Sequence, residues 1–266
     1  MGKDTKRLDI MMVELGLAES RAKAQAMIME RRVTVDGAYV TKAGEIVSPE
    51  KKIEVTGDAC PFVSRGGYKL DKAVKVFGID LDGLVCADIG ASTGGFTDVM
   101  LKSGAKKVYA VEVGYGQLDY RLRTDPRVIS MERMNARFID ETTFPEQVEF
   151  AASDVSFISL KLILPALKKA GIKRVVTLIK PQFEAGREKV GKNGVVRDAS
   201  VHAEVIKDVT GFADSIGYVP LKLDYSPVKG PKGNIEFICM YGLYSSDEKI
   251  TDDIIEKTVK SAHEML

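Results

Sequence analysis

At residues 84–95 an apolar run passes without a spacer into a glycine-rich turn. Leu84-Val85-Cys86-Ala87-Asp88-Ile89 leads straight into Gly90-Ala91-Ser92-Thr93-Gly94-Gly95, and Phe96 then opens a helical pattern. A run that is apolar on both faces suits a strand covered on both sides. Glycines that follow such a strand let the chain turn sharply and bring backbone close to a ligand at a helix N-terminus. The same rhythm continues to the end of the chain, with candidate strands at 84–89, 107–113, 128–132, 149–153, 174–180, 218–225 and 235–243. Helical length and apolar spacing occur at 96–103, 159–170 and 199–215, and 247–265 resembles a closing amphipathic helix. Seven strands alternating with helices predict one α/β domain built on a parallel sheet.

The stretch before the linker reads differently. Two short amphipathic helices are expected at Arg7 to Leu15 and Arg21 to Glu30, the second capped by Ser20. Small strand signals follow at Val33 and Val35, before the turn pair Asp36-Gly37, and at Ile46-Val47 and Ile53-Val55. A compact α+β module at 1–57, a linker at 58–63 around Pro61 and a larger domain at 64–266 are the expected organisation, which 266 residues can accommodate.

Composition narrows the chemistry. No apolar stretch reaches the roughly 18 residues of a membrane helix, and the opening MGKDTKRLDI lacks a secretory apolar core. Cys60, Cys86 and Cys239 have no metal-ligand spacing, so no metal site and a reducing, cytoplasmic setting are expected. With His202 and His263 the only histidines, hydrolase triads have little material, and catalysis would fall to Lys, Asp, Glu or a cofactor. A net charge of +1 neither announces nor forbids a polyanionic partner.

Glu112 closes the second strand at the separation from Gly90 where an acid that holds ribose hydroxyls belongs in a nucleotide-binding βαβ unit. The glycine spacing G-x-x-x-G-G lacks the close second glycine that admits a pyrophosphate. Asp88 would repel a phosphate and suit a sulfonium or an amino-acid cation. S-adenosylmethionine therefore fits this turn better than NAD.

Polar residues at the carboxyl ends of the strands are the first candidates for chemistry. They are Asp154, Lys180 and Glu236, the last inside the final strand candidate; Lys69 precedes the first sheet strand and could fold over the same edge. Methyl transfer to a hydroxyl needs a base, and a lysine serves only when burial or a second cation favours its neutral form. Lys180 would be that base, Lys69 the second cation, and Asp154 and Glu236 the carboxylates that hold both. Read singly, each of the four is also an ordinary solvated or paired charge.

Five stretches then carry a resemblance. They are Ser64-Arg65-Gly66-Gly67-Tyr68-Lys69-Leu70, Asp88 to Asp98, Val113-Gly114-Tyr115-Gly116-Gln117-Leu118, Ser153-Asp154-Val155-Ser156-Phe157-Ile158-Ser159-Leu160 and Leu178-Ile179-Lys180-Pro181-Gln182-Phe183-Glu184. Together they closely resemble the TlyA, or haemolysin-A-like, family over nearly the whole chain. The resemblance implies an FtsJ-like, Rossmann-type methyltransferase domain that modifies ribose 2′-hydroxyls of ribosomal RNA with S-adenosylmethionine. It places Lys69, Asp154, Lys180 and Glu236 on the family's Lys-Asp-Lys-Glu tetrad. It places the cofactor on Asp88, Gly90, Ala91, Ser92, Thr93, Gly94, Gly95, Phe96, Glu112 and Asn135, although Asn135 is equally readable as a helix cap.

The N-terminal module resembles the small αL RNA-binding module of a ribosomal small-subunit protein, on Leu8-Asp9, Gly16-Leu17-Ala18, Ser20 to Gln25 and Val33 to Gly37. Many relatives have a glycine where this chain has Arg31. The module is neutral as a whole, with ten Lys/Arg and ten Asp/Glu up to Cys60, but Arg21, Lys23, Arg31 and Arg32 face only Glu30 between Ser20 and Arg32. A solvated helix face explains that cluster on charge alone; with the resemblance, contact with RNA phosphates is expected there and at Arg7 and Arg65.

Other residues have plain readings. His202 is an ordinary helix residue, His263 is exposed, Cys86 and Cys239 fill the core, and some of Met11, Met12, Met27 and Met29 pack the module. Gly186 to Gly194, with Arg187, Lys189 and Lys192, is a mobile loop near the acceptor or simply a solvated one. Competing functions are an RNA-binding factor with a vestigial methyltransferase fold, a haemolysin-like membrane-active protein, and an NAD-dependent dehydrogenase.

Overall fold

The computed structural model describes residues 5–30, 32–36, 38–40, 42–55, 61–230, 232–244 and 250–266. Arg31, Gly37, half of the expected linker (58–60) and the start of the expected last helix (247–249) lie outside the described residues. Two compact units divide between Pro61 and Phe62.

In the first unit, strand β1 (Lys6–Arg7) pairs antiparallel with β4 (Ile46–Val47), and a three-stranded antiparallel sheet runs β3 (Ala38–Tyr39), β2 (Val33–Val35), β5 (Ile53–Val55). Helices α1 (Leu8–Glu14) and α2 (Arg21–Met29) sit where the periodicity puts them, except that Arg7 is a strand residue outside the first helix. Ser20 caps α2 by accepting from the Lys23 amide at 3.2 Å, which satisfies one of the orphan donors of the first turn. Leu8, Met11, Met12, Met27, Ile28 and Val33 form the core, whereas Met29 is exposed.

The second unit is a seven-stranded sheet. Its strands are β6 (Val85–Ile89), β7 (Lys107–Glu112), β8 (Val128–Glu132), β9 (Phe150–Ser153), β10 (Arg174–Ile179), β11 (Val219–Tyr225) and β12 (Phe237–Gly242). Their order is β11-β12-β10-β9-β6-β7-β8. The sheet is not wholly parallel, since β12 runs antiparallel to both β10 and β11. Side chains alternate between two cores: Val85, Ala87 and Ile89 join one and Cys86 the other, and Phe237, Cys239 and Tyr241 join one while Ile238 and Met240 join the other. This period of two, with both faces covered, explains why β6 reads as an apolar run interrupted only by Asp88.

Helices α4 (Gly95–Lys102), α6 (Leu160–Lys169), α8 (Ala199–Ser215) and α9 (Asp252–Met265) correspond to the expected helical segments. Helix α3 (Gly67–Phe77) is a departure, because the segment around Lys69 carried no helix expectation. Short helices α5 (Tyr120–Arg123) and α7 (Pro181–Glu184) complete the unit. Strand order reverses between β6 and β9, and a crevice at their carboxyl ends is the standard ligand position in such a sheet. No described helix is long and apolar enough to cross a membrane.

Candidate active site

Each tetrad residue has a local reason for its place. Asp154 follows β9, its amide donating to Ile89 O at 3.1 Å. Lys180 ends β10 because Pro181 holds the preceding residue extended and then starts α7. Glu236 lies one residue before β12, not inside it, and its carbonyl accepts from the Ser226 amide at 2.8 Å. Lys69 sits in the first turn of α3.

Glycines let that turn come close. A Cβ on Gly95 would lie 2.5 Å from Ser64 Oγ and 2.8 Å from the Gly67 amide nitrogen, and one on Gly67 would lie 2.5 Å from the Phe62 ring. The start of α3 therefore packs onto the start of α4. Phe62 and Val63 belong to this packing, with Phe62 edge-on to Tyr68 and the Val63 amide donating to Asp98 at 2.9 Å.

The four charges form one chain, buried at Glu236, Lys69 and Lys180 and partly exposed at Asp154. Glu236 Oε2 is 2.7 Å from Lys69 Nζ, Lys69 Nζ is 3.2 Å from Asp154 Oδ2, and Asp154 Oδ1 is 2.6 Å from Lys180 Nζ. Burial works against a charge on Lys69, but Asp154 and Glu236 outweigh it and hold the ammonium above its ordinary pKa. Burial likewise opposes ionisation of Asp154, and Lys69 and Lys180 overcome it, so its carboxyl lies below the usual range. Two residues without an expected role complete the network: Ser156 Oγ accepts from Lys180 Nζ at 2.8 Å, and Gln182 Nε2 donates to Glu236 Oε1 at 3.3 Å. Both fall inside the quoted motifs, but nothing in their spacing marks a partner.

The tetrad opens into a cavity of about 520 Å³, which Asp88, Gly90, Ala91, Ser92, Thr93, Gly95 and Phe96 also line. A neighbouring cavity of about 450 Å³ shares Gly90, Ser92 and Asp154 and adds Glu112 and Asn135 among apolar walls. Gly94 lines neither: its φ of +94° and a Cβ position 2.3 Å from Leu122 Cδ1 make it a packing glycine. Gly90 combines φ +85° with a Cβ position 3.2 Å from Val155 Cγ1, so only glycine lets the turn press against the end of β9.

Asp88 is buried, and its Oδ2 accepts from the Thr97 amide at 2.8 Å and hydroxyl at 2.7 Å, while Oδ1 has no partner among the described residues. Burial pushes its carboxyl up to about 7, against the two Thr97 hydrogen bonds and with the help of the Asp154 and Glu112 charges. Glu112 ties the turn together, Oε2 accepting from the Ser92 amide at 2.9 Å and Oε1 from Gly114 at 2.8 Å. Asn135 caps the short helix at Ala136–Phe138, accepting from the Arg137 amide at 3.1 Å, and lines the second cavity as well. An acid with an orphaned oxygen, glycine-lined backbone and an acid at the end of β7 together suit a cationic nucleoside such as S-adenosylmethionine.

A model of the FtsJ-like methyltransferase family matches residues 62–243, and a model of the S4 domain matches residues 6–53. The chain belongs to the FtsJ-like methyltransferase family. Within it, this methyltransferase is 42% identical to the Mycobacterium tuberculosis protein named 16S/23S rRNA (cytidine-2′-O)-methyltransferase TlyA, over 87% of each chain. Hemolysin A of Brachyspira hyodysenteriae is 43% identical over 88% of this chain and 99% of its own. Among solved structures, a candidate hemolysin from Streptococcus thermophilus superposes with a TM-score of 0.79 at 43% identity, covering 99% of this methyltransferase and 98% of that chain.

The expected RNA contacts are placed unevenly. Lys23 is exposed, and Arg7 and Arg21 expose 41% and 54% of their side chains, both in contact with Asp9. Arg32 is largely covered and lies 3.7 Å from Glu30, and Arg65 is half-buried in the turn before α3.

Proposed function

We propose that this protein transfers a methyl group from S-adenosylmethionine to a ribose 2′-hydroxyl of ribosomal RNA in the cytoplasm. Its RNA-binding module would span 1–57, and its catalytic domain would begin at Phe62 rather than at 64, because Phe62 and Val63 pack with the second unit instead of belonging to a linker. The observation that carries the reading is the continuous chain Glu236–Lys69–Asp154–Lys180 at the mouth of the glycine-lined crevice. The names of the relatives, an rRNA 2′-O-methyltransferase among them, point the same way.

S-adenosylmethionine supplies an electrophilic methyl group on a sulfonium; the chain supplies its counter-charge, its position and the base. Asp88 would face the cation, while Glu112, the Gly90 to Phe96 turn and Asn135 would hold the nucleoside. Lys180 Nζ, in its neutral form, would take the hydroxyl proton as the oxygen bonds to the methyl carbon and the carbon–sulfur bond breaks, the sulfur leaving as a neutral thioether. Asp154 fixes that amine, and Lys69, kept charged by two carboxylates, anchors Asp154 so that it does not turn away. Arg7, Arg21, Lys23, Arg31, Arg32 and Arg65 would contact RNA phosphates, which positions structured RNA without reading its sequence.

The test is methylation of isolated small and large ribosomal subunits with methyl-labelled cofactor, followed by mapping of the modified ribose. Label at a 2′-oxygen is expected. Label only on a base, or tight RNA binding with no affinity for the cofactor, would overturn the proposal.

A further inference from the structure

Asp9 in the first unit is a fully buried acid that no catalytic step uses. Its carboxylate gathers four donors. Oδ1 accepts from Arg7 Nε at 3.0 Å; Oδ2 accepts from Arg7 Nη2 at 3.0 Å, Arg21 Nε at 2.9 Å and Gln25 Nε2 at 2.7 Å. The hydrogen bonds from Arg7 hold its carboxyl well below the usual range despite the cost of burial, with Gln25 and Arg21 adding to them. It therefore stays charged, and one negative charge sits beneath two guanidinium groups.

The two arginines come from different elements, Arg7 from β1 and Arg21 from the first turn of α2. All of α1 separates them in the chain, and they converge on one carboxylate that holds both. Arg7 is gripped through its Nε–Nη2 edge, a bidentate geometry that fixes the plane of the guanidinium. Arg21 is gripped through Nε alone, which leaves its Nη groups outside the contact. Both side chains remain about half exposed, so the pair presents preset donors to solvent, and with Asp9 the cluster carries a net charge of +1. A free arginine loses rotamer freedom when it docks on a phosphate. Here much of that ordering is complete before a ligand arrives.

We infer that Arg7 and Arg21 form a single preorganised fork for a phosphodiester of structured RNA, and that Asp9 is the positioning residue that builds it. This rests on the reading of the module as an RNA-contact surface. It makes a counter-intuitive statement about sign, since deleting a negative charge from an RNA-binding surface ordinarily tightens binding.

The experiment measures binding of the full-length protein to isolated ribosomal subunits at one fixed salt concentration, for wild type, Asp9→Asn, Arg21→Lys and Arg7→Ala/Arg21→Ala. Asp9→Asn removes a negative charge but cannot hold two guanidinium groups, and a loss of about fivefold or more is expected. Arg21→Lys keeps the charge on an exposed side chain and loses the Nε contact; a loss of several-fold is expected. Circular dichroism checks each fold, and if Asp9→Asn melts, Arg21→Lys alone decides. Wild-type or tighter binding by Asp9→Asn and Arg21→Lys, with weak binding by the double alanine variant, would overturn the fork while leaving RNA contact intact. Wild-type binding by the double alanine variant would overturn the RNA-contact reading itself.

Discussion

Lys69 and Lys180 are joined through one carboxylate, Asp154, whose two oxygens lie 3.2 Å and 2.6 Å from their respective amines. The arrangement is unequal. Lys69 has a second carboxylate, Glu236, at 2.7 Å, whereas Lys180 has the Ser156 hydroxyl at 2.8 Å. Lys69, with two anionic partners, is suited to anchor; Lys180, with one, is the amine left to act on the acceptor. Lys180→Met is therefore expected to lower methyl transfer by about 10²- to 10⁴-fold, the usual worth of a positioned base. Cofactor affinity should survive, and single-turnover transfer of labelled methyl, set beside calorimetric binding, checks both.

Lys69→Met should act differently. It leaves Glu236, with a side chain only 2% exposed, without its cation. Removing one partner of a buried pair costs roughly 3 to 5 kcal/mol. A clear drop in melting temperature is expected alongside lost activity, whereas Lys180→Met leaves Asp154 paired with Lys69 and should melt closer to wild type. Equal melting of Lys69→Met and wild type would contradict the anchoring role.

Gly95→Ala probes how α3 is placed. The added methyl would meet Ser64 Oγ at 2.5 Å and the Gly67 amide nitrogen at 2.8 Å, and the backbone atom cannot swing aside as a side chain can. The start of α3 must shift and carry Lys69 away from Asp154. Activity should fall about tenfold or more, in line with the sensitivity of catalysis to displacements near 1 Å, while far-ultraviolet circular dichroism stays native.

Much of this site was legible in the sequence because buried strands leave apolar runs and because strand ends are where ligands sit. Asp154 and Lys180 were found that way. Helix α3 was not, since its first turn, Gly67-Tyr68-Lys69, opens on a poor helix former and its role depends on packing against Gly95, which belongs to the next helix and lies beyond β6 in the chain. Ser156 and Gln182 were invisible for the same reason: their partners, Lys180 and Glu236, are distant in the chain. Gly94 shows the converse, a glycine expected at the ligand whose bare face is filled by Leu118 and Leu122. His202, read as an ordinary helix residue, is buried, with Nε2 3.1 Å from Val196 O and Nδ1 3.0 Å from Nε2 of the exposed His263.

His202 gives a pH dependence of stability. Burial lowers its pKa from 6.5 to about 4, against the hydrogen bond to Val196. Between those values the unfolded chain binds a proton that the folded chain refuses. The contribution is thus present above pH 6.5 and lost as pH falls through about 4, worth about 3 kcal/mol at most. In His202→Gln, the melting temperature should fall less steeply between pH 6.5 and 4 than in wild type.

Asp88 acts with the opposite sign. Its carboxyl is raised from 3.8 to about 7, first by burial and further by Asp154 and Glu112, while Thr97 opposes. The folded chain keeps a proton that the unfolded chain releases, so this contribution is present below pH 3.8 and lost as pH rises through about 7. The scale is about 4 kcal/mol. Asp88→Asn can still accept both Thr97 hydrogen bonds through its amide oxygen and never ionises. It should melt higher than wild type at pH 8 and higher by a smaller margin at pH 5 in the absence of cofactor. The carboxylate earns its place only beside a cation, so cofactor affinity of the wild type should rise with pH through about 7, and that rise should vanish in Asp88→Asn. Paired melting curves and calorimetric titrations at the two pH values measure both effects, and an unchanged pH slope of binding in the variant would remove Asp88 from the cofactor site.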